Sequence, residues 1–327
     1  MVDLKMEAKR TRGLSGKDIL RKYGIILALG ILMVVMSFAS DRFMTESNMI
    51  NILVQCTINS ILAIAATYVI LTGGIDLSPG SVIAISGVAF ALFAKADSSG
   101  TPYYPMIVPV LAAIGTGVAF GFINGILVSR AKVAPFITTL GTMTIARGLA
   151  LIFAGGRPVS DMAQQWKDFG KGSFGQIPYL VVIMIIVAIV SIFILSQTKY
   201  GRYIYAIGGN EEASRASGIS VKNIKLSVYI LAGSLVGLAG ILQSARITVG
   251  QPNIGSGYEL QAISAVVIGG TSLSGGVGTM WGTLVGAFII GVLNNGLDLL
   301  GVSSYWQQVI SGIIIIAAVL LDRGEKK

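Results

Sequence analysis

Lys199 to Lys225 reads KYGRYIYAIGGNEEASRASGISVKNIK, a polar island of mixed charge. It separates two stretches, 178–197 and 226–246, that are comfortable only in lipid. A loop this long and this mixed in charge, set between membrane spans, exists to touch something soluble. Working outward from it decides both the class of the chain and its sidedness.

The composition agrees with a membrane setting. Of 327 residues 54% are hydrophobic and 12% charged, with 42 glycines and a mean hydropathy of +0.78. A soluble chain of this size carries about 25% charged residues. Long uncharged apolar runs therefore make this a polytopic membrane protein. Glycine is enriched in such chains because it lets helices approach closely.

The net charge of +9 raises the question of nucleic acid, but its distribution answers against it. Lys5, Lys9, Arg10, Arg12, Lys17, Arg21 and Lys22 precede the first span. Arg130 and Lys132 follow a later one, and Arg323, Lys326 and Lys327 end the chain. The island holds Lys199, Arg202, Arg215, Lys222 and Lys225. Basic residues gathered in four short segments are the mark of membrane topology, so no nucleic-acid partner is expected.

There is no histidine, which excludes histidine-based hydrolytic triads and the commonest metal ligand. The one cysteine, Cys56, sits inside an apolar run, so neither an internal disulfide nor a metal site is expected. The basic leader with its apolar run from Gly24 to Ala39 resembles a signal peptide. Because many spans follow, it reads as a retained first helix.

The fold class is all-α, a polytopic membrane protein of about ten transmembrane helices, some short or interrupted. The spans fall near 24–40, 50–71, 79–95, 105–128, 134–154, 178–197, 226–246, 258–270, 279–297 and 305–321. The third, eighth and ninth are weak against the ~20 residues a straight crossing needs. With the basic N-terminus inside, the loops at 129–133 and 199–225 and the C-terminus all fall inside as well. The organisation is a basic cytoplasmic segment (1–23), a transmembrane domain (24–322) that includes the cytoplasmic loop 199–225, and a short cytoplasmic tail (323–327). Outside, the segment Gly155–Gln176 reads as an interfacial amphipathic piece anchored by Trp166 and Phe169, or as a docking surface for a soluble partner.

Two kinds of feature mark the spans. Gly117, Gly121 and Gly125, the pair Gly233 and Gly237, and the pair Gly282 and Gly286 recur every four residues and read as helix-packing stripes. Gly73–Ser81 (GGIDLSPGS) and Gly269–Val277 (GGTSLSGGV) match at five of nine positions. The breaks contain Gly73, Gly74, Asp76, Ser78 and Gly80 in the first, and Gly269, Gly270, Ser274 and Gly276 in the second. Paired breaks in two halves point either to a transport pathway, since irregular backbone in a membrane needs protein or water around it, or to short surface loops. Asp76 reads as a cap for the helix that Pro79 begins.

Gln55, Asn59, Asn124, Asn294 and Asn295 lie inside spans, with Asp298 nearby. Amides donate and accept, which suits a neutral polyhydroxylated solute and equally suits interhelical bonding. Buried carboxylates are scarce, which disfavours ion coupling. The chain lacks a phosphate loop, because Gly13–Asp18 has neither the spacing nor the terminal Ser or Thr. If transport is ATP-driven, the engine is another polypeptide and needs a handle. In the island, Asn210 is an N-cap, Glu211 and Glu212 suit a first turn, Ala213–Ser217 extend a short helix and Gly218 ends it.

Glu212–Ile219 (EASRASGI) resembles the EAA-type coupling loop of ABC importer permeases. GRYIYAIGGNEEASRASGI, ILTGGIDLSPGS, AVVIGGTSLSGGVGT and NNGLDLLGVSSYWQ together resemble the ribose-type branch of the monosaccharide permeases, from about residue 20 to 322. The resemblance implies a homodimer in the bacterial inner membrane and an ATP-binding subunit with two fused nucleotide-binding domains. It also implies a periplasmic sugar-binding protein and a monosaccharide, most closely D-ribose, as cargo. ATP and Mg would bind the partner, leaving no cofactor and no catalysis in this chain. Glu211, Glu212, Arg215 and Gly218 would form the coupling surface, Arg215 departing from the small or aliphatic residue of many such loops. Galactose, xylose, allose or autoinducer-like permeases are alternatives, as are a proton-coupled sugar carrier and a lipid-modifying membrane enzyme.

Overall fold

The computed structural model describes residues 16–303, 305–310, 312–313 and 316, with side chains from residue 24 onward. The first fifteen residues, part of the tenth expected span and the C-terminal tail lie outside the described residues. The regular structure of the described chain is helical apart from one hairpin of two two-residue strands, as the all-α reading expects.

The helices are α1 (Gly16–Ala39), α2 (Glu46–Leu71), α3 (Pro79–Phe93), α4 (Ile107–Ser129) and α5 (Pro135–Ala154). The short α6 (Gln164–Lys171) and the hairpin β1 (Ser173–Phe174) and β2 (Ile177–Pro178) precede α7 (Tyr179–Gln197). Then come α8 (Lys199–Gly209), α9 (Glu211–Ala216), α10 (Val221–Ile247), α11 (Tyr258–Ile268) and α12 (Met280–Leu299). Each of the first nine expected spans is a helix. Six described helices are long and apolar enough to cross a membrane, including α12, which the sequence reading ranks among the weak ones. The truly short ones are α3 and α11, about 22 and 16 Å long at ~1.5 Å per residue, against ~30 Å of hydrocarbon.

Burial follows the residue pattern. From Cys56 to Leu71 the only residue of α2 that is not buried is Asn59, because it is packed by α10, α11, α12 and α7 around its circumference. A helix apolar all round belongs in such a place. By contrast α7 is equally apolar yet largely exposed, with Ile189, Val190 and Phe193 facing outward. Its exposed face is what a lipid-facing helix presents.

The glycine stripes are packing surfaces. Gly117 and Gly121 of α4 lie against Gly233, Gly237 and Tyr229 of α10, so closely that a Cβ on either would strike backbone. Gly286 meets the Ala265 carbonyl, joining α12 to α11. Backbones this close gain dispersion contacts that a larger side chain would forfeit.

At one end of the bundle, hereafter the island face, α2 and α4 end and α8, α9 and the start of α10 gather. At the opposite face α6 folds back over the bundle. Trp166 is buried there, 4.9 Å from Phe90 edge to face, and Gly170 sits against the Ala245 carbonyl. The aromatics Trp166 and Phe169 of this segment thus pack against protein side chains, where the indole is desolvated on Phe90.

Candidate functional site

The five polar candidates fall into two groups. Gln55, Asn59 and Asn294 line one cavity of about 390 Å³ among α2, α10, α11 and α12, in the half away from the island. Gln243, Arg246, Tyr258 and Gln261 complete its polar wall. The Gln243 side-chain oxygen is buried and has no hydrogen-bond partner among the described residues. A buried acceptor left open costs about 1–3 kcal/mol unless something fills its lone pairs. These walls offer donors and acceptors with little net charge beyond Arg246 and Asp298, which is the chemistry of hydroxyl recognition.

Asn124 and Asn295 lie elsewhere, with their amides engaged. Asn124 donates to Ser78 Oγ at 3.0 Å and accepts from Thr142 Oγ1 at 2.7 Å. Asn295 and Asn48 exchange reciprocal 3.0 Å bonds, tying the end of α12 to the start of α2.

The Asn124 network ends on Asp76, whose Oδ1 accepts from both the amide and the hydroxyl of Ser78. Asp76 therefore does not cap the first turn of α3, as the sequence reading has it; Ser78 is the N-cap residue and makes no side-chain cap bond. The reason is local. Pro79 has no N–H to offer, and the carboxylate finds its donors two residues on, an Asx turn.

The two glycine breaks meet each other. The Gly276 amide donates to the Leu71 carbonyl at 3.0 Å, and Gly275 packs on Gly73. Gly276 has φ +72, and a Cβ there would meet the backbone of Gly208 and Gly209 in α8. A Cβ on Gly208 would in turn strike both Leu71 O and Gly276 N. Breaks and island thus form one joint, with Tyr205 Oη donating to Gly278 O at 2.9 Å across it. None of the break glycines borders the amide cavity.

A residue the sequence reading overlooked holds the other irregular stretch. Between α10 and α11, residues 248–257 turn back into the bundle without helical bonding. Arg147 of α5 donates to the carbonyls of Pro252 (2.6 Å), Ile254 (2.8 Å) and Gly80 (3.1 Å). A guanidinium is suited to this because its planar fork supplies several donors at once. The available signal was a lone arginine in the otherwise uncharged ITTLGTMTIARGLALIFA of the fifth span.

In the island, α9 has the expected grammar. Asn210 Oδ1 accepts from the Ala213 amide at 2.9 Å, and Gly218 follows the helix end with φ +85. Glu211, however, is already paired, accepting from Arg215 at 2.8 Å and from Lys225 at 2.6 Å. The bond from Lys225 holds its carboxyl below the usual carboxylate range. The clamp of α9 on α10 is therefore present above that range and released as acid titrates Glu211 through its lowered pKa. Glu212 is exposed and, among the described residues, makes no ion pair.

A helical bundle with a capped surface helix at one face and a polar cavity in the other half has the makings of a membrane permease. Residues 48–319 match the family described as branched-chain amino acid transport system / permease component, and the chain belongs to that family. It is similar to the ribose import permease protein RbsC of Escherichia coli, with 45% identity over 91% of this chain and 92% of the relative. The Bacillus subtilis ribose import permease protein RbsC is 46% identical over 93% and 94% of the two chains. The D-allose transport system permease protein AlsC of Escherichia coli is 38% identical over 92% and 91%. No solved structure matches the chain.

Proposed function

We propose that this chain is the membrane permease of an ATP-driven importer for ribose. The observation that carries this reading is the end-to-end identity of about 45% with ribose import permeases, above the 38% to the allose relative. The subunit makes and breaks no bond in its cargo. It works as a homodimer in the bacterial inner membrane, with its island face and both termini in the cytoplasm. A separate subunit with two fused nucleotide-binding domains holds ATP and Mg, and a periplasmic binding protein delivers the sugar.

In this reading α9 transmits the stroke. It rides on α8, and α8 is wedged into the joint of the two glycine breaks, so force on α9 reaches α2, α3, α11 and α12 together. Of the coupling residues, Glu212 meets the ATPase, whereas Glu211 and Arg215 hold α9 in place and Gly218 ends it. The sugar passes by way of the cavity that Gln55, Asn59, Asn294 and Gln243 line. Asn124 and Asn295 support it as hydrogen-bonding ties.

Two outcomes test these roles. Glu212→Lys should leave the protein inserted and of normal thermal stability while the ATPase no longer co-purifies from solubilised membranes; unchanged co-purification would remove Glu212 from the interface. Gln243→Leu should lower ribose uptake by the reconstituted complex at least tenfold with ATPase binding intact. Accumulation of ribose in liposomes by this chain alone, driven by a proton gradient, would sink the ATP-driven reading.

A further inference from the structure

The island face carries a second cavity, of about 340 Å³, between α9, the start of α10 and the loop joining α4 to α5. Its charged lining is Lys132, Arg215, Lys222 and Lys225 against the single carboxylate of Glu211. That carboxylate is neutralised by Arg215 and Lys225. Lys132 and Lys222 are exposed and have no ion pair among the described residues.

Two long helices also begin on this cavity. The 20-residue α5 starts at Ala134–Pro135, and the 27-residue α10 starts at Val221. Neither has a side-chain cap bond; Pro135 has no N–H, and Val221 and Asn223 already donate to Ile219 O (2.9 Å) and Ser220 O (3.1 Å), so the two ends act chiefly through their dipoles. Two positive helix ends then add to an excess of cationic side chains. Finally, Ser129 on the cavity wall is only 6% exposed, and its Oγ has no partner among the described residues. A hydroxyl left open in a cationic recess calls for a small acceptor-rich guest.

We propose that this recess is an anion site for a phosphate group, lying between the two unpaired lysines and the uncapped helix ends. Phosphate suits it better than chloride because its charge is spread over several oxygens, enough to accept from both lysines and from Ser129 at once. The recess exceeds what a bare phosphate fills, leaving room for the rest of a phosphorylated metabolite or for an anionic lipid headgroup. A bound phosphate would tie the α4–α5 loop to α9 and α10, stiffening the base on which the coupling helix rides. The site itself stands independently of the transport reading; only its effect on coupling rests on it.

The test is made on the full transporter complex, purified in detergent free of anionic lipid. Inorganic phosphate should raise its unfolding temperature by about 3 °C or more over chloride at matched ionic strength, as ligand binding to the folded state requires. Lys132→Gln combined with Lys222→Gln should abolish that rise, and the corresponding pair of arginine substitutions should restore it. In nanodiscs, retention of phosphatidylglycerol by the wild type but not by the glutamine pair identifies a headgroup as the source. A rise with inorganic phosphate without such retention identifies a soluble phosphate. Equal behaviour of phosphate and chloride with no lipid retention, or equal binding by wild type and the glutamine pair, overturns the proposal. These readouts need no sugar uptake, so they fail separately from the transport assignment.

Discussion

Gly208→Ala is expected to dismantle the joint beneath the island, while Gly209→Ala, one residue along, is expected to be nearly silent. A Cβ on Gly208 points at the Leu71 carbonyl and the Gly276 amide, the two atoms that bond each other across the glycine breaks. A methyl group there must push both apart, and neither is a flexible side-chain end. Overpacking of this kind costs about 1–3 kcal/mol, to which the loss of the buried backbone bond adds about another 1. Gly209 has open space where its Cβ would go. Thermal unfolding in detergent should show Gly208→Ala markedly destabilised, with ribose uptake lost, and Gly209→Ala within ~0.5 kcal/mol of the parent. Equal stability of the two variants would mean that α8 does not wedge the breaks together.

Arg147→Leu carries the second large effect. The side chain is the sole donor found for the carbonyls of Pro252 and Ile254 among the described residues, and it also reaches Gly80. Residues 248–257 are non-helical backbone within the bundle, where open carbonyls cannot turn to bulk water. Leucine keeps the apolar character of α5 but deletes every donor, for an expected loss of about 2–4 kcal/mol. Glu259, which lines the same recess, also loses the compensating charge of Arg147. Arg147→Lys should recover part of the stability, because one ammonium can serve one or two of the three carbonyls. Proteolysis of the 248–257 segment in membranes reads the effect directly: protected in the parent, partly exposed in the lysine variant, cleaved in the leucine variant. A leucine variant as resistant as the parent would deny Arg147 this role.

Legibility of the fold in the sequence tracked local physics. Helix α9 was readable to its ends because an Asn cap, two acidic first-turn residues and a glycine terminator act within one turn of chain. The glycine stripes of α4 and α10 were readable because a four-residue spacing puts them on one helix face. The ninth span, weak in the sequence, is a full-length α12, since glycines at 282, 286 and 291 lower its apolar character without interrupting a helix packed on its neighbours.

The site divided differently. That amides in spans matter was legible from their cost in lipid, but not which of them face a cavity. Gln55, Asn59 and Asn294 come from two helices and share a wall, whereas Asn295, the very next residue, turns to Asn48. A step of one residue rotates a helix by about 100°, so neighbours in sequence serve different surfaces. The roles of Gln243 and Arg147 are not legible locally because they lie in carbonyls and cavities contributed by distant segments.

The island at Lys199–Lys225 shows where the division falls. By itself the sequence determined that this segment is polar, that it contains a capped short helix, and that it shares a face with the basic loop at 129–133. Those are properties of charge and of backbone groups within a few residues of one another. Only the tertiary structure decided that Glu211 is spent on Lys225 and Arg215, leaving Glu212 free, and that α8 is seated on both glycine breaks at once. The contacts of that seat join residues far apart in the chain, as Leu71, Gly208 and Gly276 are. Their strength depends on whether two backbones close to within hydrogen-bonding distance, which no local pattern encodes.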